Sequence, residues 1–375
     1  MNIGIFETEH FEGAYPVIKL FDTPQNKLIL FTDIKTHKRF SDFFKSLINN
    51  YEWVIEDLEN HRFAFFRKMY TAVKKHKLDI LYLNTISNNH LLYGLLVKLI
   101  PSTRVIITIH DINCLFESRF TFGIRESIQH IGKRILLKQV KEFNVVSDTM
   151  IPYLQNKNRH IKIHNVPGAV FEHRIKTNAI SGPVRLVVPG SIDEKRRDYN
   201  KVFTLLKEAE TMELPLDITL LGGPHKEYGA SVISRAKEFR GKHTRLFYYN
   251  QKLVDQDEFD EKLDSAHFIF IPSVVQTRIC SNIPEIYGIT KSSGNIFDVI
   301  KHAKPFIVPG ALVIPSDLND SCFTYESIPE LVTFLKNLLL SPDQYIGWSD
   351  NAIKNSEKYT IEKIRNKNQS LFGRS

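Results

Sequence analysis

The side chains best suited to chemistry gather in one short stretch, Pro284-Glu-Ile-Tyr-Gly-Ile-Thr-Lys-Ser-Ser-Gly-Asn295. Glu285 stands just before Tyr287 and Gly288, where it could accept hydrogen bonds from several neighbouring hydroxyls or cap a local turn. Ser292, Ser293 and Asn295 are small groups able both to donate and to accept. The run Asn295-Ile-Phe-Asp-Val-Ile-Lys-His-Ala303 predicts a helix beginning just after Gly294, with its first N–H groups open to an anion. Hydroxyl recognition beside anion recognition is the chemistry this spacing offers.

A second anion-binding candidate is residues 189–203, Pro-Gly-Ser-Ile-Asp-Glu-Lys-Arg-Arg-Asp-Tyr-Asn-Lys-Val-Phe. Gly190 makes a turn after a strand, and Lys195, Arg196 and Arg197 precede a helix. Arginine grips phosphate with a rigid fork and lysine acts as a point charge. The competing reading is a solvated loop in which Glu194 pairs with Lys195 or Arg197. Gly222 and Gly223 permit close approach of a nucleotide to the backbone, or simply a tight turn. Asn250 and Ser273 end further strands. In the first half, Glu7, His10 and Gly13 follow the first strand, with Gly13 in its loop. His110 and Asp111 follow the most apolar strand of that half. His110 could bond a substrate hydroxyl or act near neutral pH, or the pair could cap a turn. G-x-G-x-x-G, G-x-x-x-x-G-K-[ST] and H-E-x-x-H are all absent, which leaves no dinucleotide fingerprint, P-loop or zinc-protease signature. Phosphate and neighbouring hydroxyls together describe a nucleotide diphosphate-sugar, bound as substrate with no cofactor and no metal.

These groups need strand ends to hold them. Short β-rich runs alternate with helical patterns: 2–6, 27–33, 53–57, 79–85 and 104–110, then 184–190, 216–224, 244–250, 267–273 and 304–310. The run 104–110 is nearly all apolar, as in a parallel strand covered on both faces. This alternation predicts an α/β chain of two tandem Rossmann-like domains, since 375 residues exceed one ordinary core. Residues 1–178 form the expected first domain, 184–341 the second, and 342–375 a helical tail able to cross back. The polar segment 176–185 is the expected linker. Ligands of such sheets collect at the carboxyl ends of strands, where each candidate stands.

Charge is uneven. Residues 1–180 hold 25 Lys and Arg against 17 Asp and Glu, whereas 181–375 hold 25 of each. The basic half suits an anionic surface, including a membrane, or is an ordinary solvated surface. Cys114, Cys280 and Cys322 show neither metal-ligand spacing nor a disulfide framework, which suggests a reducing compartment. The first ten residues lack a secretion-signal pattern, and no apolar run is long enough to span a bilayer. A cytoplasmic protein, peripheral at the inner face of a membrane, is the resulting expectation, with no nucleic-acid partner.

Several segments, in order, resemble the GT-B glycosyltransferases, specifically the large retaining family 4. They are 145–154 with 161–168, 185–203, 216–224, 245–273 and 284–310, so the second half carries most of the resemblance. It implies two Rossmann-like domains facing across a cleft, with the nucleotide-sugar held mainly by the second. Lys195 or Arg196 would meet the donor diphosphate, and Glu285 would match the first glutamate of the family's E-x7-E pair, which contacts the donor sugar. His110 would match a histidine on the acceptor and sugar side, and Gly13 a glycine-bearing loop. The resemblance implies sugar transfer, with retention, to a hydroxyl of a saccharide or lipid-linked glycan. Two departures stand out: Gly190 is followed by Ser191 instead of arginine, and the second glutamate is Ser293. Ribose would then rely on Ser292, Ser293 or Asn295. A non-catalytic partner subunit with a degraded pocket and a nucleotide-sugar epimerase are the alternatives.

Overall fold

The computed structural model describes residues 1–44, 49–118, 120, 123–172, 179–279 and 282–373, with the backbone alone for 42–44. Residues 173–178, where the first domain was expected to end and the linker to begin, lie outside the described residues.

The N-terminal half builds a seven-stranded parallel sheet from β1 (Asn2–Phe6), β2 (Lys27–Thr32), β3 (Glu52–Ile55), β4 (Ile80–Leu83), β5 (Arg104–Ile109), β6 (Glu142–Val145) and β7 (Lys162–His164), in the order β3-β2-β1-β4-β5-β6-β7. Strands β1, β2, β4 and β5 are short Ile- and Leu-rich runs buried on both faces, which requires helices on both sides. Helices α1 (Phe11–Phe21) and α2 (Ile34–Phe44) cover one face; Ile18, Phe21 and Phe40 pack there with Ile5, Leu30 and Tyr82. Helices α3 (Arg62–His76), α4 (His90–Leu99) and α6 (Ile124–Gln139) cover the other, where Phe65, Tyr93 and Leu136 meet Leu81, Ile107 and Phe143. The short α5 (Ile112–Phe116) follows β5, and α7 (Ile151–Lys157) follows β6.

The second half repeats the plan with β8 (Val184–Pro189), β9 (Leu216–Leu221), β10 (Thr244–Tyr248), β11 (Phe268–Phe270), β14 (Phe306–Pro309) and β15 (Cys322–Tyr325), ordered β10-β9-β8-β11-β14-β15. Between β11 and β14 lies a two-residue antiparallel pair, β12 (Gln276–Thr277) and β13 (Glu285–Ile286). The flanking helices are α8 (Tyr199–Thr211), α9 (Lys226–Glu238), α10 (Gln256–Ser265), α11 (Gly294–His302), α12 (Ile328–Leu340) and α13 (Gln344–Ser356). The final helix α14 (Ile361–Lys367) lies on the first domain. Ile364 and Leu371 enter its core, and the Arg365 guanidinium donates to Lys19 O (2.6 Å), Leu20 O (3.0 Å) and Asp22 O (3.0 Å), closing the carboxyl end of α1. No helix among the described residues is long and apolar enough to cross a membrane.

The two sheets are doubly wound, so each reverses strand order once. The reversals lie between β1 and β4 and between β8 and β11, where the fold opens a crevice at the strands' carboxyl ends.

Candidate functional site

Each crevice is occupied by a buried charged side chain of the chain itself. Between β1 and β4 it is Glu7. Its Oε1 accepts from the Glu9 and His10 N–H groups (2.6 and 2.8 Å), and its Oε2 from Asn84 Nδ2 and Thr85 Oγ1 (both 2.7 Å). Four donors compensate one desolvated carboxylate, so its burial is tolerated. Between β8 and β11 it is Arg197. Its guanidinium donates to Ser191 O (3.0 Å) and to Asn295 Oδ1 (2.9 Å), while its buried Nε has no partner. Gly190 has φ +90°, and a Cβ there would come within 2.5 Å of Arg197 Nη2. The glycine is therefore needed to admit the arginine as well as to turn the chain.

The basic cluster divides. Lys195 and Arg196 are exposed: Lys195 Nζ reaches Arg278 O (3.4 Å), and Arg196 pairs with Asp193 (3.3 Å). The inward-pointing cation is Arg197, whose backbone bridges to Ser273 after β11. Asn295, expected as a ribose contact, is engaged structurally. Besides accepting from Arg197, it donates to Pro189 O (3.0 Å) and so ties α11 to the end of β8. Its neighbour Asp298 is pushed up to about 6 by burial.

Residues 284–295 fold as β13, a tight turn and the entry to α11. Ile286 O accepts from the N–H groups of Ile289, Thr290 and Lys291. Gly288 has φ +83°, and a Cβ there would lie 2.0 Å from Val313 O, so no other residue fits. Tyr287 is buried beneath the turn, with the Lys291 ammonium over its ring at 5.8 Å. Ser293 is the N-cap residue of α11, yet its side chain makes no capping bond. A Cβ on Gly294 would meet nothing within 4 Å, so space is open beside the first residue of this helix. Gly288, Ser292, Ser293, Ile296 and Phe297 line a small cleft that Ser147 of the first domain closes from the other side.

Glu285 does not stand in that open space. It is 1% exposed, and its Oε1 accepts the backbone N–H of Cys114 in α5 (2.7 Å), while its Oε2 is buried with no partner. Burial pushes its pKa up to about 7, partly offset by the Cys114 N–H. The surrounding contacts join the same two segments. Ile112 N–H donates to Thr290 O (2.8 Å), Asn113 Nδ2 to Pro284 O (3.0 Å) and Ser292 N–H to His110 O (3.3 Å), and Lys291 forms an ion pair with Asp111. The loops after β5 and β13 thus close the cleft between the domains. His110 lies in this seam, its Nε2 3.2 Å from Asn84 O and 3.3 Å from Thr85 Oγ1, with the His10 ring at 5.8 Å. Burial, and then His10, lower its pKa.

Other expected positions fall elsewhere. Gly13 lies inside the first turn of α1, not in a loop. The Cβ direction of Gly222 is blocked by Gly190 O at 2.3 Å, so this glycine serves packing of the β8 and β9 turns and not ligand approach. Asn250 is exposed past the end of β10. The D-x-D spacing Asp255-Gln256-Asp257 is used for helix initiation: the Asp255 side chain caps α10 by accepting from Asp257 N–H. Cys322 is a free thiol. Glu7 and Arg197 were visible as polar residues after strands, but no spacing distinguishes a crevice-filling charge from its exposed neighbours.

No family model matches this chain. An alignment of 206 positions, covering 48% of the chain, is 21% identical to the DNA mismatch repair protein MutS of Halothermothrix orenii, and the match spans only 23% of that protein. Among solved structures, Anabaena Alr3699/HepE in complex with UDP and glucose aligns over 99% of both chains at 10% identity and a TM-score of 0.64. The lipopolysaccharide outer core galactosyltransferase WaaB aligns over 99% of both chains at 12% identity and a TM-score of 0.59. The UDP-GlcNAc 2-epimerase of Neisseria meningitidis, bound to UDP-GlcNAc, aligns over 97% of this chain and 99% of its own at 10% identity and a TM-score of 0.55. At these identities the likeness concerns architecture: two parallel doubly wound sheets with their carboxyl edges facing across a cleft, which is the GT-B fold.

Proposed function

We propose that this chain is a retaining glycosyltransferase that moves a hexose from a nucleotide diphosphate-sugar to a hydroxyl of a saccharide or lipid-linked glycan. The observation that carries the reading is the open amino end of α11, with Gly288, Ser292 and Ser293, set directly across the cleft from the first domain. Negative charge developing on a leaving diphosphate would meet fixed N–H dipoles there, with Lys195 and Arg196 at the rim, so no metal is required. Ribose would bond Ser292 or Ser293. Glu285, with an unpaired buried oxygen, would accept sugar hydroxyls once the seam with α5 parts. His110 would lie on the acceptor side. Gly13, Gly190, Gly222, Asn250, Tyr287 and Asn295 shape or brace the site in this reading. The acceptor would be met in the cytoplasm at the inner face of a membrane, toward which the basic first half is drawn.

One observation favours a second reading, a non-catalytic partner subunit. Arg197 and Asn295 satisfy each other where a donor would be gripped, and Glu285 is engaged by α5. Incubation with a panel of UDP-, GDP- and ADP-sugars separates the two. Turnover that falls on Glu285→Ala supports the enzyme, whereas no turnover together with unchanged nucleotide binding in that variant defeats it.

A further inference from the structure

Helices α3, α4 and α6 cover one face of the first sheet and carry ten Lys and Arg against a single acid, Glu126. On the opposite face α1 and α2 carry four against two. The basic excess of the first half is thus concentrated on one side. The same side exposes aliphatic side chains in register. On α6, Ile124, Ile128 and Ile131 are 81%, 50% and 45% exposed at i, i+4 and i+7, and exposed Arg134 and Lys138 continue that stripe. On α4, Leu95 and Leu99 are exposed one turn apart, beside exposed Lys98. The two helices touch closely: a Cβ on Gly132 would lie 2.5 Å from Leu91 N, and one on Gly94 2.9 Å from Ile135 Cγ2. Apolar stripes with basic flanks therefore stand side by side.

We propose that this α4–α6 face lies on an anionic membrane surface, the isoleucines and leucines entering the headgroup boundary while the bases meet lipid phosphates. The proposal deepens the membrane-side acceptor of the preceding reading. Charge decides between occupants. A symmetric contact with a second copy would bring Lys98, Arg134 and Lys138 toward their own counterparts, which is repulsive. An anionic bilayer complements them and also takes the aliphatic groups. Orientation fits as well: α4 and α6 each follow a parallel strand and so begin at the sheet's carboxyl edge, which sets Ile124 on the cleft side of the docked face.

The test is flotation of the full chain with vesicles of phosphatidylcholine alone and of phosphatidylcholine with phosphatidylglycerol. Binding to the anionic vesicles only, weakened by salt, is expected. Ile128→Ser with Ile131→Ser, and separately Arg134→Glu with Lys138→Glu, should each lower partitioning at least about tenfold while melting and UDP binding stay unchanged. Equal partitioning into both vesicles, or into neither, overturns the proposal. A change from dimer to monomer in the isoleucine variant, or capture by an acidic polypeptide without vesicle binding, overturns it too. Flotation without turnover on any nucleotide-sugar retains this surface and sinks the transferase; turnover on a soluble acceptor without flotation does the reverse.

Discussion

Replacing Glu285 by Gln should make the protein more stable at alkaline pH while changing little at acid pH. The carboxyl group is 1% exposed, one oxygen accepts a single N–H bond, and the other has no partner. Its pKa rises from the ordinary 4.5 to about 7 because burial disfavours the charged form. A raised acid binds more protons folded than unfolded, so its contribution worsens as pH climbs from 4.5 to 7 and is fully unfavourable above that. The shift corresponds to about 3 kcal/mol at pH 8 and to almost nothing below pH 4.5. Glutamine keeps the oxygen facing Cys114 N–H and stays neutral throughout. The gain at pH 8 should therefore approach about 3 kcal/mol, or about 6–12 °C in the melting temperature of a domain of this size. Thermal unfolding of both proteins at pH 5, 6, 7 and 8 reads it directly. Asp298 and His302 also have shifted pKa values, but both proteins contain them, so they cancel in the difference. A difference in melting temperature that stays flat with pH, or a variant less stable at pH 8, would refute the placement of Glu285 as a lone buried acid.

Arg197→Met should cost about 2–4 kcal/mol, since it strands Asn295 Oδ1 and Ser191 O in a buried crevice; urea unfolding measures the loss. Lys195→Ala with Arg196→Ala removes only exposed side chains and should leave stability within about 0.5 kcal/mol, yet weaken UDP binding about tenfold by calorimetry if the diphosphate rides on that loop. Ser293→Glu places a carboxylate at an N-cap that currently makes no capping bond. It should stabilise α11 by about 0.3–1 kcal/mol and tighten nucleoside binding, and an unchanged affinity would remove the ribose from this position. Sugar transfer, once a donor is found, should persist in excess chelator; its abolition and rescue by magnesium would replace the metal-free mechanism.

The fold was largely legible because its signals are local. The run Arg104–Ile109 is a buried parallel strand by composition alone, and the pattern across Arg125–Val140 gives α6 to within a residue. The pair β12 and β13 was not, since two-residue strands have no period to read. The candidate site divides the same way. Ser292 and Ser293 fall at a helix start because a strand, a polar loop and a helix occur in sequence order. The partnership of Glu285 with Cys114 joins residues 171 positions apart, and that of Arg197 with Asn295 joins residues 98 apart. Such pairings depend on which strand ends the topology makes neighbours, and no local pattern carries that. The sequence offered 195–197 as an anion-binding cluster or a solvated loop; it could not show which of three consecutive basic residues turns inward. Gly190 held the clue, since a positive-φ residue facing a guanidinium selects the one arginine whose backbone also reaches Ser273.

These long-range pairings bear on how a donor could enter. The amino end of α11 is open, but Glu285, the carboxylate proposed to meet the sugar, is shut behind α5. The seam consists of four hydrogen bonds and the Asp111–Lys291 ion pair, all between residues 110–114 after β5 and residues 284–292 around β13. Such a seam has one weak member. Glu285 is desolvated without full compensation, so closure strains the carboxylate, and any ligand hydroxyl that reaches its free oxygen relieves the strain. A sugar hydroxyl donating to that oxygen favours the charged form, so donor binding should release a proton near neutral pH and strengthen as pH rises toward 8. A pocket kept only as a relic has no reason to place its unsatisfied oxygen within the seam that joins the loops of the two domains. Proton release on nucleotide-sugar binding, measured by calorimetry in buffers of different ionisation enthalpy and lost in Glu285→Gln, is the signature that separates a working cleft from a vestigial one.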